Sequence, residues 1–266
     1  MLNKTLYLRE MKRSVRLLVI FAAVITLYVS TIISMYDPAL MGMLDGFVRV
    51  LPQLMAAVGM TAGATTLLGF MVSYLYGFIL LIFPMLYAIL RANALVAKYV
   101  DSGAMITLLS APVKRRSIAL TQLCVLLSGV ALLLVYATAL EYAAASLSFP
   151  GQLRLSELLR LNAGLLCLHL FIAGVCFFFS CLCSDTKYSL AFGAGIPVMM
   201  YILRMLANMG EKASVFEKLT FFTLFDAGGL AAGESGALLG AGLLLIGALA
   251  LDAGALLVFS RKDLHI

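Results

Sequence analysis

Six long, unbroken apolar runs constrain this chain more tightly than any motif in it. They fall at roughly 17–35, 67–90, 118–140, 162–183, 188–209 and 238–259, each near the ~20 residues that a helix needs to cross a ~30 Å hydrocarbon layer. The runs are continuous where the strands of an outer-membrane barrel alternate, so they predict helices. Composition agrees: 63% of residues are hydrophobic, 12% are charged and the mean hydropathy is +1.06. A soluble fold needs a polar exterior, and these residues cannot supply one. The expectation is an all-α membrane protein with six transmembrane helices. The longest stretches outside them, 36–66 and 210–237, are too short for a second fold, so residues 1–266 form a single domain.

The net charge of +6 is read as a topology signal, because Lys and Arg near span ends set orientation and attract anionic head groups. Nucleic acid is not an expected partner; lipid is. With a cytosolic N-terminus, Lys4, Arg9, Lys12, Arg13, Arg16, Arg91, Lys98, Lys114, Arg115, Arg116, Lys187, Arg261 and Lys262 lie inside. Only Arg49, Arg154, Arg160, Lys212 and Lys218 then lie outside. Both termini are thus expected in the cytosol, which an even number of spans requires. The first run is long for a secretory signal, and Tyr36-Asp37-Pro38 offers no small-residue cleavage site, so it reads as a retained anchor of a multi-pass protein in the cell membrane.

Searches for catalytic chemistry return little. The Gly-rich run Gly228 to Gly233 lacks the lysine of a phosphate loop, and no HExxH or GxSxG occurs. Neither an ATPase site nor an enzyme is expected in this chain. The five cysteines, Cys124, Cys167, Cys176, Cys181 and Cys183, lie in or at the ends of predicted spans and imply no disulfide framework. His169, Cys176 and Cys183 recur every seven residues, as a soft-metal stripe does. That spacing is ~10.5 Å of helix rise, too far for one ion to be shared, so packing is the expected role and no metal site is assigned.

Ionisable groups in the spans are costly and face partners, cavities or the bundle interior. Glu141 and Arg204 sit at similar depth and are expected to pair; Asp252, two turns from the end of the last span, is expected to be hydrated or hydrogen-bonded. Tyr74, Phe78, Met199 and Met205 give the second and fifth spans an adaptable apolar surface suited to a pathway, which ordinary packing explains equally well. Gly236 and Gly240 form a GxxxG pair, with Gly247 and Gly254 further along, as close-packing surfaces. The run from Leu54 to Thr66 suits a segment dipping into the interface, and Phe216 to Phe225 suits an aromatic cap or belt.

The segment Asp101 to Arg116, DSGAMITLLSAPVKRR, lies between the second and third spans. Asp101 or Ser102 can cap a short helix, Met105, Leu108 and Leu109 share one face, and Pro112 disfavours helix at Ala111. Lys114, Arg115 and Arg116 anchor the next span at the inner surface. An interfacial resting helix has the same pattern.

This segment resembles the coupling-helix region of the ABC-2 type permeases, the membrane subunits of ABC exporters. The matching positions are Asp101, Gly103, Ala104, Leu108, Leu109, Pro112, Arg115 and Arg116, with Asp101 where the family more often has Glu and Ala104 where it often has Thr. The start LYLREMKRSVR resembles the family's connecting helix, and FSRKDLHI resembles its C-terminus. The resemblance implies a permease subunit coupled to a separately encoded ATP-binding subunit through a cytosolic helix at 101–111, with Asp101, Gly103, Met105, Leu108, Leu109 and Pro112 at the contact. It also implies a second permease copy or homologue, and no cofactor in this chain, since ATP and Mg belong to the partner. A gradient-driven transporter or channel, or a non-transporting anchor of an ATPase complex, remain alternatives. The cargo is not legible.

Overall fold

A computed structural model describes residues 2–37, 50–60, 66–110 and 113–262. Its described residues contain no strand, and six helical stretches are long and apolar enough to cross a membrane. They are Lys4–Ser34, Leu67–Asp101, Arg115–Ser148, Leu155–Leu182, Thr186–Ala207 and Ser235–Arg261, here the first to sixth spans. Every predicted apolar run is one of these helices, and most extend beyond the run because polar residues continue the helix past the hydrocarbon layer. The chain is a multi-pass helical membrane protein.

The amphipathic start is no separate connecting helix. It is continuous with the first span in one helix of 31 residues, about 46 Å long. Leu6, Glu10, Ser14, Phe21, Ile25, Val29 and Ile33 form its buried face, a stripe with helical periodicity. The Asn3 side chain caps it by accepting from the Leu6 N–H at 3.1 Å.

The fourth span is the hub, packing against the second, third, fifth and sixth. Its Phe171 and Phe178 face Gly247 and Gly254 of the sixth. A Cβ at Gly247 would lie 2.7 Å from the Phe171 ring, and one at Gly254 3.3 Å from the Phe178 ring. These glycines are sockets for rings one heptad apart. The expected GxxxG pair works differently. Gly240 admits the Leu224 carbonyl of the preceding loop, 2.4 Å from where a Cβ would be, while a Cβ at Gly236 would meet nothing within 4 Å.

The second span is interrupted three times. A π-helical segment occupies Leu75–Ile79, Pro84 sits inside the helix Leu80–Leu95, and Val96 leaves helical geometry at φ −128° and ψ −66°. Pro84 has no N–H for the carbonyl four residues back, that of Leu80. The fourth span repairs this: His169 Nε2 lies 2.8 Å from the Leu80 oxygen. A carbonyl only accepts, so Nε2 carries the proton and Nδ1 is bare. At the Val96 break, Ser180 donates to the Ala92 carbonyl at 2.9 Å and accepts from the Ala97 N–H at 3.0 Å. The fifth span repeats the arrangement: Pro197 frees the Gly193 carbonyl, and the Cys176 thiol donates to it at 3.1 Å. The His169 and Cys176 stripe therefore serves the backbone, and among the described residues no cluster of metal-ligating side chains exists. All five cysteines are free.

The helix ends are tied together. At one end, the Asn3 N–H donates to Thr121 Oγ1 at 3.0 Å, Arg115 donates to the Lys262 carbonyl at 3.1 Å, and Lys262 Nζ donates to the Leu182 carbonyl at 2.7 Å. That ammonium caps the last carbonyls of the fourth span, and burial lowers its pKa from the ordinary lysine value. At the other end, loop segments plug the bundle. Phe222, Phe225 and Leu230 are buried between the fifth and sixth spans and beside the fourth, so the aromatic cluster is a cap with a buried inner side. From the first loop, Pro52–Ala57 and the turn after it bring Gly59 against Gly77 in the π segment. Gly59 holds φ +81°, and a Cβ there would sit 2.7 Å from the Gly77 Cα.

Filling the Gly247 socket tests the hub. Gly247→Leu is expected to cost about 1–3 kcal/mol and to lower the thermal midpoint in detergent, with Phe171→Ala in the same protein recovering part of the loss.

Candidate functional site

Two hydrogen-bonded clusters gather buried polar side chains inside the bundle. The first joins the foot of the first span to the foot of the second. Glu10 is 1% exposed and Arg91 7%, both inside the packed interior, and Arg91 Nη2 donates to Glu10 Oε2 at 2.9 Å and to the Glu10 carbonyl at 2.7 Å. Tyr99 donates its hydroxyl to Glu10 Oε1 at 2.7 Å, and Arg13 donates to the same oxygen at 3.1 Å. Arg13 also contacts the Tyr99 hydroxyl. Each carboxylate oxygen is thus satisfied, as a buried charge requires.

Tyr99 belongs to the helical turn Ala97–Asp101, which leads through Gly103, at φ +71°, into the short helix Met105–Leu109. This differs from the expected helix over 101–111. Asp101 ends the preceding turn, and the new helix has no side-chain cap; Ser102 donates to the Lys98 carbonyl at 2.7 Å. The left-handed glycine separates the two pieces, which is why the cap read from Asp101 or Ser102 does not form. Met105 is wholly buried and Leu108 packs against the core, so the greasy side holds the helix to the bundle. The outward side presents Asp101, Ala104, Ile106 and Thr107. Ile106, 54% exposed, was not among the residues singled out from sequence. Pro112 lies outside the described residues. Lys114, Arg115 and Arg116 are all exposed, and Arg115 reaches the end of the sixth span.

The second cluster is deep in the bundle. Glu141 of the third span is fully buried; its Oε2 accepts from the Tyr76 hydroxyl at 2.7 Å and from Asn162 Nδ2 at 3.0 Å. Asn162 Nδ2 also approaches the Tyr76 oxygen at 2.6 Å. Tyr76 sits in the π segment, so the cluster holds the irregular turn of the second span to the third and fourth. Glu141 Oε1 and Asn162 Oδ1 are buried without a hydrogen-bond partner among the described residues. The expected pair with Arg204 does not form. Arg204 instead lies over the Phe222 ring, 5.9 Å from its centroid, while Glu141 is taken up by Tyr76 and Asn162. Asp252 is 8% exposed, and its Oδ1 has no partner among the described residues. It faces the fourth span at Gly174, where a Cβ would lie 3.3 Å from that oxygen.

The four pathway candidates do not converge on one cavity. Tyr74 packs on Phe70 with ring centroids 4.5 Å apart, and Phe78 meets Tyr201 edge-on at 6.4 Å. Met199 is 55% exposed on the outer face of the fifth span, and Met205 packs against the core.

Glu10 and Asn162, which hold the two clusters together, were not picked out from sequence. A signal for Glu10 existed: it falls on the buried stripe of its helix, between Leu6 and Ser14, in a stretch otherwise rich in bases. Breaking its pair leaves one buried charge alone, so Arg91→Ala or Glu10→Gln is expected to cost about 3–5 kcal/mol, seen as a lower unfolding midpoint. Arg13→Ala, which removes a half-exposed side chain, is expected to cost about 1 kcal/mol or less.

Compared with known proteins, the chain matches no family model, no curated protein and no solved structure.

Proposed function

We propose that this chain is the permease subunit of an ATP-driven ABC transporter of the ABC-2 type, an exporter of the cell membrane. In this reading both termini and the helix Met105–Leu109 lie in the cytosol, ATP and Mg are bound by a separate ATP-binding subunit, and a second permease copy or homologue completes the pathway. The observation that carries it is the seating of that short helix. Met105 is sunk into the bundle, Ile106 and Thr107 face outward, and the turn before it reaches the buried Glu10–Arg91 pair through Tyr99. A partner closing on the outward face would move an element that grips two spans, and differential contact of this kind is what coupling to a motor requires. The outward face of the fifth span, with Tyr188, Phe192, Met199, Ile202 and Leu206 exposed, suits lipid or a second permease.

A gradient-driven carrier is the second reading, favoured by one observation: a buried carboxylate, Glu141, beside an interrupted span. Such carriers place ionisable groups next to broken helices.

Co-purification with a phosphate-loop ATPase and substrate-stimulated ATP turnover separate the two. Ile106→Asp is expected to leave insertion and unfolding midpoint unchanged while weakening the ATPase contact by about 2 kcal/mol or more, the size of an interface hot spot. Turnover and transport that survive this change sink the coupling reading. Transport that needs no ATPase and disappears in Glu141→Gln favours the carrier.

A further inference from the structure

A pocket of about 240 Å³ opens between the foot of the first span and the link that follows the second, lined by Glu10, Arg13, Arg91, Lys98, Tyr99 and Ser102 among others. We propose that it binds a phosphate group, carried by an anionic phospholipid head group or by a free phosphate.

Charge comes first. Three bases, Arg13, Arg91 and Lys98, line the pocket against one acid, Glu10. The acid is already occupied, since Oε2 accepts from Arg91 and Oε1 accepts from Arg13 and Tyr99. Lys98 is exposed and makes no ion pair with any described residue, so the lining keeps an uncompensated positive charge.

An unmet donor points the same way. Arg91 is 7% exposed, yet its Nε is buried with no hydrogen-bond partner among the described residues. A guanidinium N–H left bare costs free energy until an acceptor meets it, and a charged oxygen acceptor is the strongest match. Depth narrows the choice. Arg91 is paired with Glu10 of the first helix, and the stretch of that helix around Glu10 carries Lys4, Arg9, Lys12, Arg13 and Arg16. Bases at that level stand beside the lipid phosphates.

The test uses the full chain in phosphatidylcholine vesicles, with phosphatidylglycerol added, with inorganic phosphate added, or with neither. The readouts are the thermal midpoint in each arm and, after gentle detergent extraction, the phosphatidylglycerol retained per protein. Lys98→Ala removes the free charge, and Lys187→Ala, an exposed base at the start of the fifth span, is the control. Phosphatidylglycerol retention above the vesicle ratio, reduced about fivefold by Lys98→Ala and unchanged by Lys187→Ala, supports a lipid phosphate. A midpoint raised by inorganic phosphate alone, and lost in Lys98→Ala, supports a free phosphate. No effect of either anion, or equal loss in both variants, overturns the proposal. So does a Lys98→Ala protein that keeps its lipid and loses only a co-purifying protein, which makes the pocket a protein contact. None of these outcomes depends on what the chain transports.

Discussion

Inside a bilayer a backbone carbonyl without a donor has no water to fall back on, and this bundle is organised around that constraint. Pro84 and Pro197 each leave a carbonyl bare, at Leu80 and Gly193, and Val96 breaks the second span at its foot. The fourth span supplies the missing partners: His169 to Leu80, Cys176 to Gly193, and Ser180 to both sides of the Val96 break. Asn162, one heptad before His169, reaches the π turn through Tyr76 and Glu141. The hub position of the fourth span follows from chemistry as well as packing, because it carries the donors that irregular neighbours need.

That arrangement lets the second span be irregular and still ordered. A straight helix transmits a displacement as a rigid rod; one broken at its middle and its foot can change shape locally. The two polar clusters sit at those two breaks, Tyr76 with Glu141 at the π turn and Glu10 with Arg91 and Tyr99 at the foot. Between them the proposed coupling helix has a route into the membrane that runs through specific contacts.

Much of the fold was legible because hydropathy over some twenty residues overwhelms local detail, and all six spans follow from it. Pro84 and Pro197 were visible too, and counting four residues back names Leu80 and Gly193. What sequence could not name was the donor. His169 and Cys176, seven residues apart, have the same spacing whether they serve a metal or two neighbouring helices, and only tertiary packing decides. The Glu141 and Arg204 pairing failed for a similar reason: equal depth is legible, but the partners that packing gives each, Tyr76 and Asn162 for Glu141 and the Phe222 ring for Arg204, are not. Of the apolar face expected from Met105, Leu108 and Leu109, Met105 is buried and Leu108 packs against the core, while the Leu109 side chain lies outside the described residues. Which way that face turned depended on Gly103, whose left-handed backbone separates the short helix from the turn before it.

The most direct test of this account is a double-mutant cycle on Pro84→Ala and His169→Ala, following unfolding of the intact chain in mixed micelles. Alanine at 84 restores an N–H for Leu80, so His169 should matter less in that background, with a coupling of about 1 kcal/mol. Costs that simply add, to within about 0.3 kcal/mol, would contradict the claim that His169 stands in for the hydrogen bond the proline removes.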